Sequence, residues 1–111
     1  MPRYPGPGGI DMQKLMREAQ KLQTEMQRVE DELAEKTVEG TSGGGMVKAT
    51  ITCGMELKSI EIQKEVVDPD DVDMLQDLVV AAVNEAIRKA RETSKEEMAK
   101  VTGTAGMPFK M

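Results

Sequence analysis

Arginines and lysines recur at intervals of one or two helical turns in two stretches of this 111-residue chain. Lys14, Arg17, Lys21 and Arg28 form the first set; Arg88, Arg91 and Lys95 form the second, with Lys89 and Lys100 nearby. Cations three, four or seven residues apart share one helix face. A row of them suits the regularly spaced phosphates of a nucleic acid. Contacts of that kind position a polyanion without reading its sequence. The competing reading is a solvated helix surface with local ion pairs such as Glu85–Lys89 or Glu96–Lys100. The placement of charge along the chain favours the first. Residues 1–29 carry five basic and three acidic side chains, residues 30–86 four and fourteen, and residues 87–111 six and three. Basic ends around an acidic centre draw a polyanion to the extremities, although the formal net charge is −5.

Other chemistries find little support. There is no His, which removes the commonest general base, and a single Cys rules out an ordinary zinc site. Cys53 has no basic neighbour in sequence to activate it and reads as a small core residue; without a partner for an intramolecular disulfide it fits a reducing cytoplasm. The aromatics are Tyr4 and Phe109 alone, too few for a base-stacking platform. The glycine-rich segment 40–45 lacks the phosphate-loop pattern and precedes a strand, so it reads as a hairpin turn. Asp68, Asp70, Asp71 and Asp73 lack calcium-loop spacing, and helix capping explains most of them. No catalytic set, metal site, cofactor or small-molecule substrate is expected, and no apolar run suggests a membrane segment.

The elements that must position the cations follow from periodicity. Met12, Leu15, Ala19, Leu22, Met26, Val29 and Leu33 are spaced alternately three and four apart, a heptad seam that predicts a helix from 12 to about 35 with coiled-coil character. Asp11 caps it, and Ile10 can pack on Leu15. The period then changes. Thr37–Glu39 is a short strand ending at Gly40. Met46–Cys53 alternates, with Val47, Ala49, Ile51 and Cys53 on one face. Glu56–Ile62 is a third strand, with Ile60 and Ile62 inward. Three sequential strands with tight turns predict an antiparallel meander. Asp68 as cap and Pro69 at the first turn open a second helix, whose apolar positions run from Val72 to Ala90 and more weakly to Val101; Val67 and Val72 repeat the staple spacing. Thr93-Ser94 marks a kink or a fresh helix start. Asn84 is either a buried amide that sets register or a surface residue.

Leu78–Val83 is apolar on every side, and one small sheet covers only one side of a helix. A chain this short has little interior, part of it filled by ten Met residues, so a second copy is the simplest cover. Core and interface are expected at Leu22, Met26, Val47, Ala49, Ile51, Leu78, Val79, Ala82 and Val83.

These pieces together resemble the YbaB/EbfC family of bacterial nucleoid-associated proteins over roughly residues 9–102. The matching segments are Met12–Met16 with Ala19–Gln23, Val38–Lys48 including the glycine-rich turn, Lys58–Ile62, and Met74–Val79 through Ala82–Ala86. The resemblance implies an α+β fold, an α-β-β-β-α protomer with a three-stranded antiparallel sheet between two long helices. It further implies a tweezer-like homodimer, binding to double-stranded DNA, and a place in the cytoplasm on the nucleoid. The DNA-binding positions it carries over are the basic residues of the two helices: Lys14, Arg17, Lys21, Arg28, Arg88, Lys89, Arg91 and Lys95. The expected organisation is a Pro/Gly arm at 1–9, the DNA-binding domain at 10–102 and a tail at 103–111. The rival function is a prefoldin-like coiled-coil chaperone or adaptor that binds apolar protein segments. The heptad seam suits that rival; the third strand and the all-round apolar stretch do not.

Overall fold

The computed structural model describes residues 11–104. Helix α1 spans Met12–Leu33, strands β1 (Thr37–Ser42), β2 (Val47–Thr52) and β3 (Leu57–Ile62) follow, and helix α2 spans Val72–Thr104. The strands form one antiparallel sheet in the order β1-β2-β3. This is the α-β-β-β-α architecture of the α+β class. Asp11 caps α1 as expected, its carboxylate accepting from the Gln13 N–H at 3.0 Å. Ile10, its proposed staple partner, lies outside the described residues.

Strand register explains which residues form the core. Gly40 pairs with Ala49, and Ala49 with Ile60; Ser42 pairs with Val47, and Val47 with Ile62. These residues share one sheet face. Helix α2 lies over β1 and β2 on that face. Val47, Ala49 and Ile51 are buried there, as expected, together with Cys53. The helix meets them with Ala82, Ala86 and Ala90, all fully buried and spaced one turn apart. Gly40 lets the strand reach the helix backbone. A Cβ at position 40 would collide with the Ala86 nitrogen and the Ala82 carbonyl and lie 2.8 Å from the Ala86 Cα. Two hydroxyls fasten the helix along the sheet: Ser42 donates to the Leu78 carbonyl at 2.6 Å and Ser94 to the Cys53 carbonyl at 3.2 Å.

Several sequence expectations are corrected. Strand β1 does not end at Gly40 but runs to Ser42. The turn itself is Gly43–Gly45, all three with positive φ, where side chains are strained. Helix α2 starts at Val72, because Asp68 is used in a turn before it: its carboxylate accepts from the Asp70 N–H and its carbonyl from the Asp71 N–H, both at 2.9 Å. Asp71 takes the capping role, accepting from the Met74 N–H at 3.1 Å. Val67 and Val72 are both exposed. The helix is continuous through Ser94, whose hydroxyl is committed to strand β2's end instead of starting a new turn. Ile60 and Ile62 share the inward face, yet they are 37% and 39% exposed, because α2 covers only the other two strands.

The two helices are likewise only partly covered. Val29 and Leu33 are buried in the core that includes Val101, and Leu22 and Met26 are half-buried. The start of the seam, Met12, Leu15 and Ala19, is exposed. On α2, Ala82 is buried, Leu78, Val79 and Val83 are half-buried, and Val80 is 56% exposed. The chain spans 83 × 27 × 16 Å with a radius of gyration of 22.4 Å. A compact domain of 100 residues has about 13 Å.

The contact at Gly40 predicts a graded response to added methyl groups. Gly40→Ala should lower stability by about 3 kcal/mol or more, because helix backbone cannot yield as a flexible side chain does. Gly44→Ala meets open space at φ 69° and should cost only about 1–2 kcal/mol of left-handed strain. Urea unfolding midpoints of the two variants measure the difference.

Candidate nucleic-acid interface

Both cationic rows stand on solvent-facing surfaces of the helices. Helix α1 carries Lys14, Arg17, Lys21 and Arg28, all exposed, and α2 carries Arg88, Lys89, Arg91 and Lys95, also exposed. The rows differ in how many of their charges are free. Among the described residues, Lys14, Arg17, Lys21, Arg91 and Lys95 have no carboxylate within 4.0 Å. Lys14, Arg17 and Lys21 line one shallow depression with Glu18, Gln20 and Thr24. Arg91 and Lys95 line another with Asn84, Ile87, Arg88 and Glu92. Asn84 is thus a surface residue.

Arg28 and Arg88 are occupied. Arg28 donates to Glu25 at 2.7 Å and to Glu32 at 2.9 Å. Arg88 donates to Glu85 at 2.9 Å and to Glu92 at 3.0 Å. The hydrogen bonds to Glu25 and Glu85, with the attraction of all four carboxylates, hold both guanidiniums more firmly protonated than usual. Lys89 lies 3.9 Å from Glu85, the pair anticipated from sequence. Lys100 pairs with Glu97 at 3.3 Å in place of Glu96, and Glu97 also faces Lys36 at 3.8 Å. From sequence, Glu85 is expected only as a partner of Lys89, and the pairing of Glu25, Glu32, Glu85 and Glu92 with the two arginines is not anticipated. Their signal is present: each Arg has a Glu three residues before it and another four after it.

The central lysines are differently placed. Lys48 sits on the sheet face away from α2, 4.0 Å from Glu39 and 3.9 Å from Glu61, so cross-strand acids surround it. Among the described residues no group of three or more His, Cys, Asp or Glu is arranged to hold a metal, and no helix is long and apolar enough to cross a membrane.

A model of the YbaB/EbfC DNA-binding family matches residues 8–105. A nucleoid-associated protein of Caldanaerobacter subterraneus subsp. tengcongensis is 53% identical over 92% of this chain and 92% of its own. Another, from Acetivibrio thermocellus, is 53% identical over 93% of this chain and 90% of its own. The fold is similar to the crystal structure of an uncharacterized protein from Helicobacter pylori, with a TM-score of 0.69 at 21% identity, covering 87% of this chain and 99% of that one. The chain belongs to the YbaB/EbfC DNA-binding family, a class of nucleoid-associated DNA-binding proteins.

Cys53 is the one free thiol among the described residues, and burial pushes its pKa up. It should be alkylated by iodoacetamide at pH 8 at least about tenfold more slowly in the folded protein than in urea, because burial and reduced thiolate act in the same direction. Mass spectrometry of timed samples measures both rates.

Proposed function

We propose that the protein works as a homodimer that grips double-stranded DNA through the basic surfaces of its two helices, largely without regard to sequence, in the cytoplasm and on the nucleoid. The observation that carries the reading is the set of exposed cations with no ion-pair partner among the described residues: Lys14, Arg17 and Lys21 on α1, Arg91 and Lys95 on α2. Cations without carboxylate partners are the ones a phosphate can engage at little electrostatic cost. The names of the relatives support the nucleoid as the place of action; effects on DNA organisation and gene expression are part of the proposed function. No cofactor, membrane or small-molecule substrate enters this function.

The dimer is supported by apolar surface that one protomer leaves uncovered. Leu57, Ile60 and Ile62 of β3 continue the core face beyond α2, and Val80 stands on the outer side of that helix. Burial of these groups is favourable, and among the described residues no further element of the elongated protomer covers them. Sedimentation equilibrium at low micromolar concentration should give twice the 12.2 kDa chain mass. A cooperatively folded monomer would remove this part of the proposal.

One observation favours the chaperone or adaptor alternative: the exposed seam of α1, where Met12 is 66% exposed. Salt dependence separates the two, since apolar client binding does not weaken steeply with salt. If about three of these five cations in each protomer, drawn from both helices, meet phosphates, about six are neutralised, and the slope of log K against log salt is near −5, from about −0.9 per phosphate. Arg17→Ala/Lys21→Ala and Arg91→Ala/Lys95→Ala should each shallow that slope and weaken unrelated duplexes alike, with the thermal midpoint almost unchanged. Lys48→Ala should alter binding far less. Fluorescence anisotropy on two unrelated duplexes at several salt concentrations measures all of these.

A further inference from the structure

One pattern occurs twice. Glu25-x-x-Arg28-x-x-x-Glu32 lies on α1 and Glu85-x-x-Arg88-x-x-x-Glu92 on α2. In each, the guanidinium is forked between a carboxylate about one turn before it and another one turn after it, at 2.7 and 2.9 Å on α1 and at 2.9 and 3.0 Å on α2. Each fork joins two carboxylates to one cation, so its formal charge is −1. Each also adjoins a free row. Arg28 follows Lys21 by two turns on α1, and Arg88 precedes Arg91 by one turn on α2.

We infer that the two Glu–Arg–Glu forks are affinity-limiting elements of the DNA-contacting surface, each withholding an arginine from phosphate and setting two carboxylates against the DNA backbone. The inference rests on the DNA-binding reading above. An exposed ion pair is weak by itself, but a phosphate at either fork is disfavoured for a different reason. If it displaces a carboxylate, it replaces one charge-assisted contact with another of the same kind, and the displaced carboxylate stays tethered to the helix beside it. If it takes the guanidinium's remaining N–H groups, both carboxylates stay in place beside it. Either way like charges are brought together. The grip therefore ends at Lys21 on α1 and begins at Arg91 on α2, and binding stays weak enough for the protein to exchange along DNA.

The test uses the full chain and two unrelated duplexes, titrated by anisotropy from low to high salt. Glu25→Gln/Glu32→Gln should free Arg28 and, separately, Glu85→Gln/Glu92→Gln should free Arg88 together with Lys89, whose ammonium lies 3.9 Å from Glu85. With two protomers, the slope of log K against log salt should steepen by about 1.8 for the first variant and by about 1.8 to 3.6 for the second, from about −0.9 per added phosphate. Affinity at 0.1 M salt should rise by about tenfold or more. Glu30→Gln/Glu35→Gln makes the same change in net charge on or beside α1 without touching a fork, since neither acid has an ion-pair partner among the described residues. It should leave the slope as in the wild type and tighten binding far less. Adding Arg28→Gln to the first variant should return the slope to the wild-type value. Circular dichroism melts identify any variant that is not folded at the assay temperature, and the second fork supplies an independent test. Equal effects of the fork and control variants, or a steep slope that survives Arg28→Gln, would overturn the inference. Wild-type protein that fails to bind either duplex at low salt would instead overturn the DNA-binding reading itself.

Discussion

The structure depends on one close contact, that of strand β1 with helix α2 at Gly40. Without a Cβ at Gly40, and with only methyl groups at Ala82 and Ala86, the strand and the helix approach backbone to backbone. That contact sets α2 over β1 and β2, where Val47, Ala49 and Ile51 provide the apolar floor. The hydroxyls of Ser42 and Ser94 reinforce the same placement from both sides of the contact, each satisfying a backbone carbonyl. Van der Waals attraction summed over so close a surface compensates for small side chains, which individually bury little area.

The placement has consequences far from Gly40. A helix centred on two strands leaves the third without cover, which is why Ile60 and Ile62 stay accessible although their alternation matches a buried face. It also leaves most of the long helices outside the sheet. Helix α2 has 33 residues, about 50 Å at 1.5 Å per residue, far longer than six-residue strands need. The charges stand partly on that surplus length and partly beside the sheet. Lys14, Arg17 and Lys21 are on the end of α1 where its own seam is unburied, whereas Arg91 and Lys95 flank Ser94, whose hydroxyl bonds to the Cys53 carbonyl, and are exposed on the outer surface of α2.

The charge census along the chain needed this geometry to become a site. Eight basic residues of the helices have the spacing for phosphate contact, and cation spacing alone does not rank them, although the glutamates three before and four after Arg28 and Arg88 mark those two. Local side-chain pairing ranks them. Arg28 and Arg88 have acids within reach on both sides along the helix, whereas Lys14, Arg17, Lys21, Arg91 and Lys95 have none within ion-pair distance among the described residues. The family membership supplies the partner, DNA; the pairing pattern distinguishes which cations are free to meet it.

The sequence by itself determined the elements. The heptad seam defined α1, the alternation Val47–Cys53 defined β2, and Asp11 defined the start of the first helix, because hydrophobic periodicity and capping act within a few residues of chain. It also determined the sorting of charge and, through the ordered motifs, the family. Boundaries that hinge on a choice between neighbours were less legible: Asp71 displaced Asp68 as the cap, and Gly43–Gly45 displaced Gly40 as the end of β1. Only the tertiary structure decided which apolar residues are covered. Ile60 and Val47 look alike in alternation, and what separates them is whether a helix from 20 or more residues away lies above them. Periodicity records which face a side chain shares, and burial depends on what packs against that face, which local sequence does not encode.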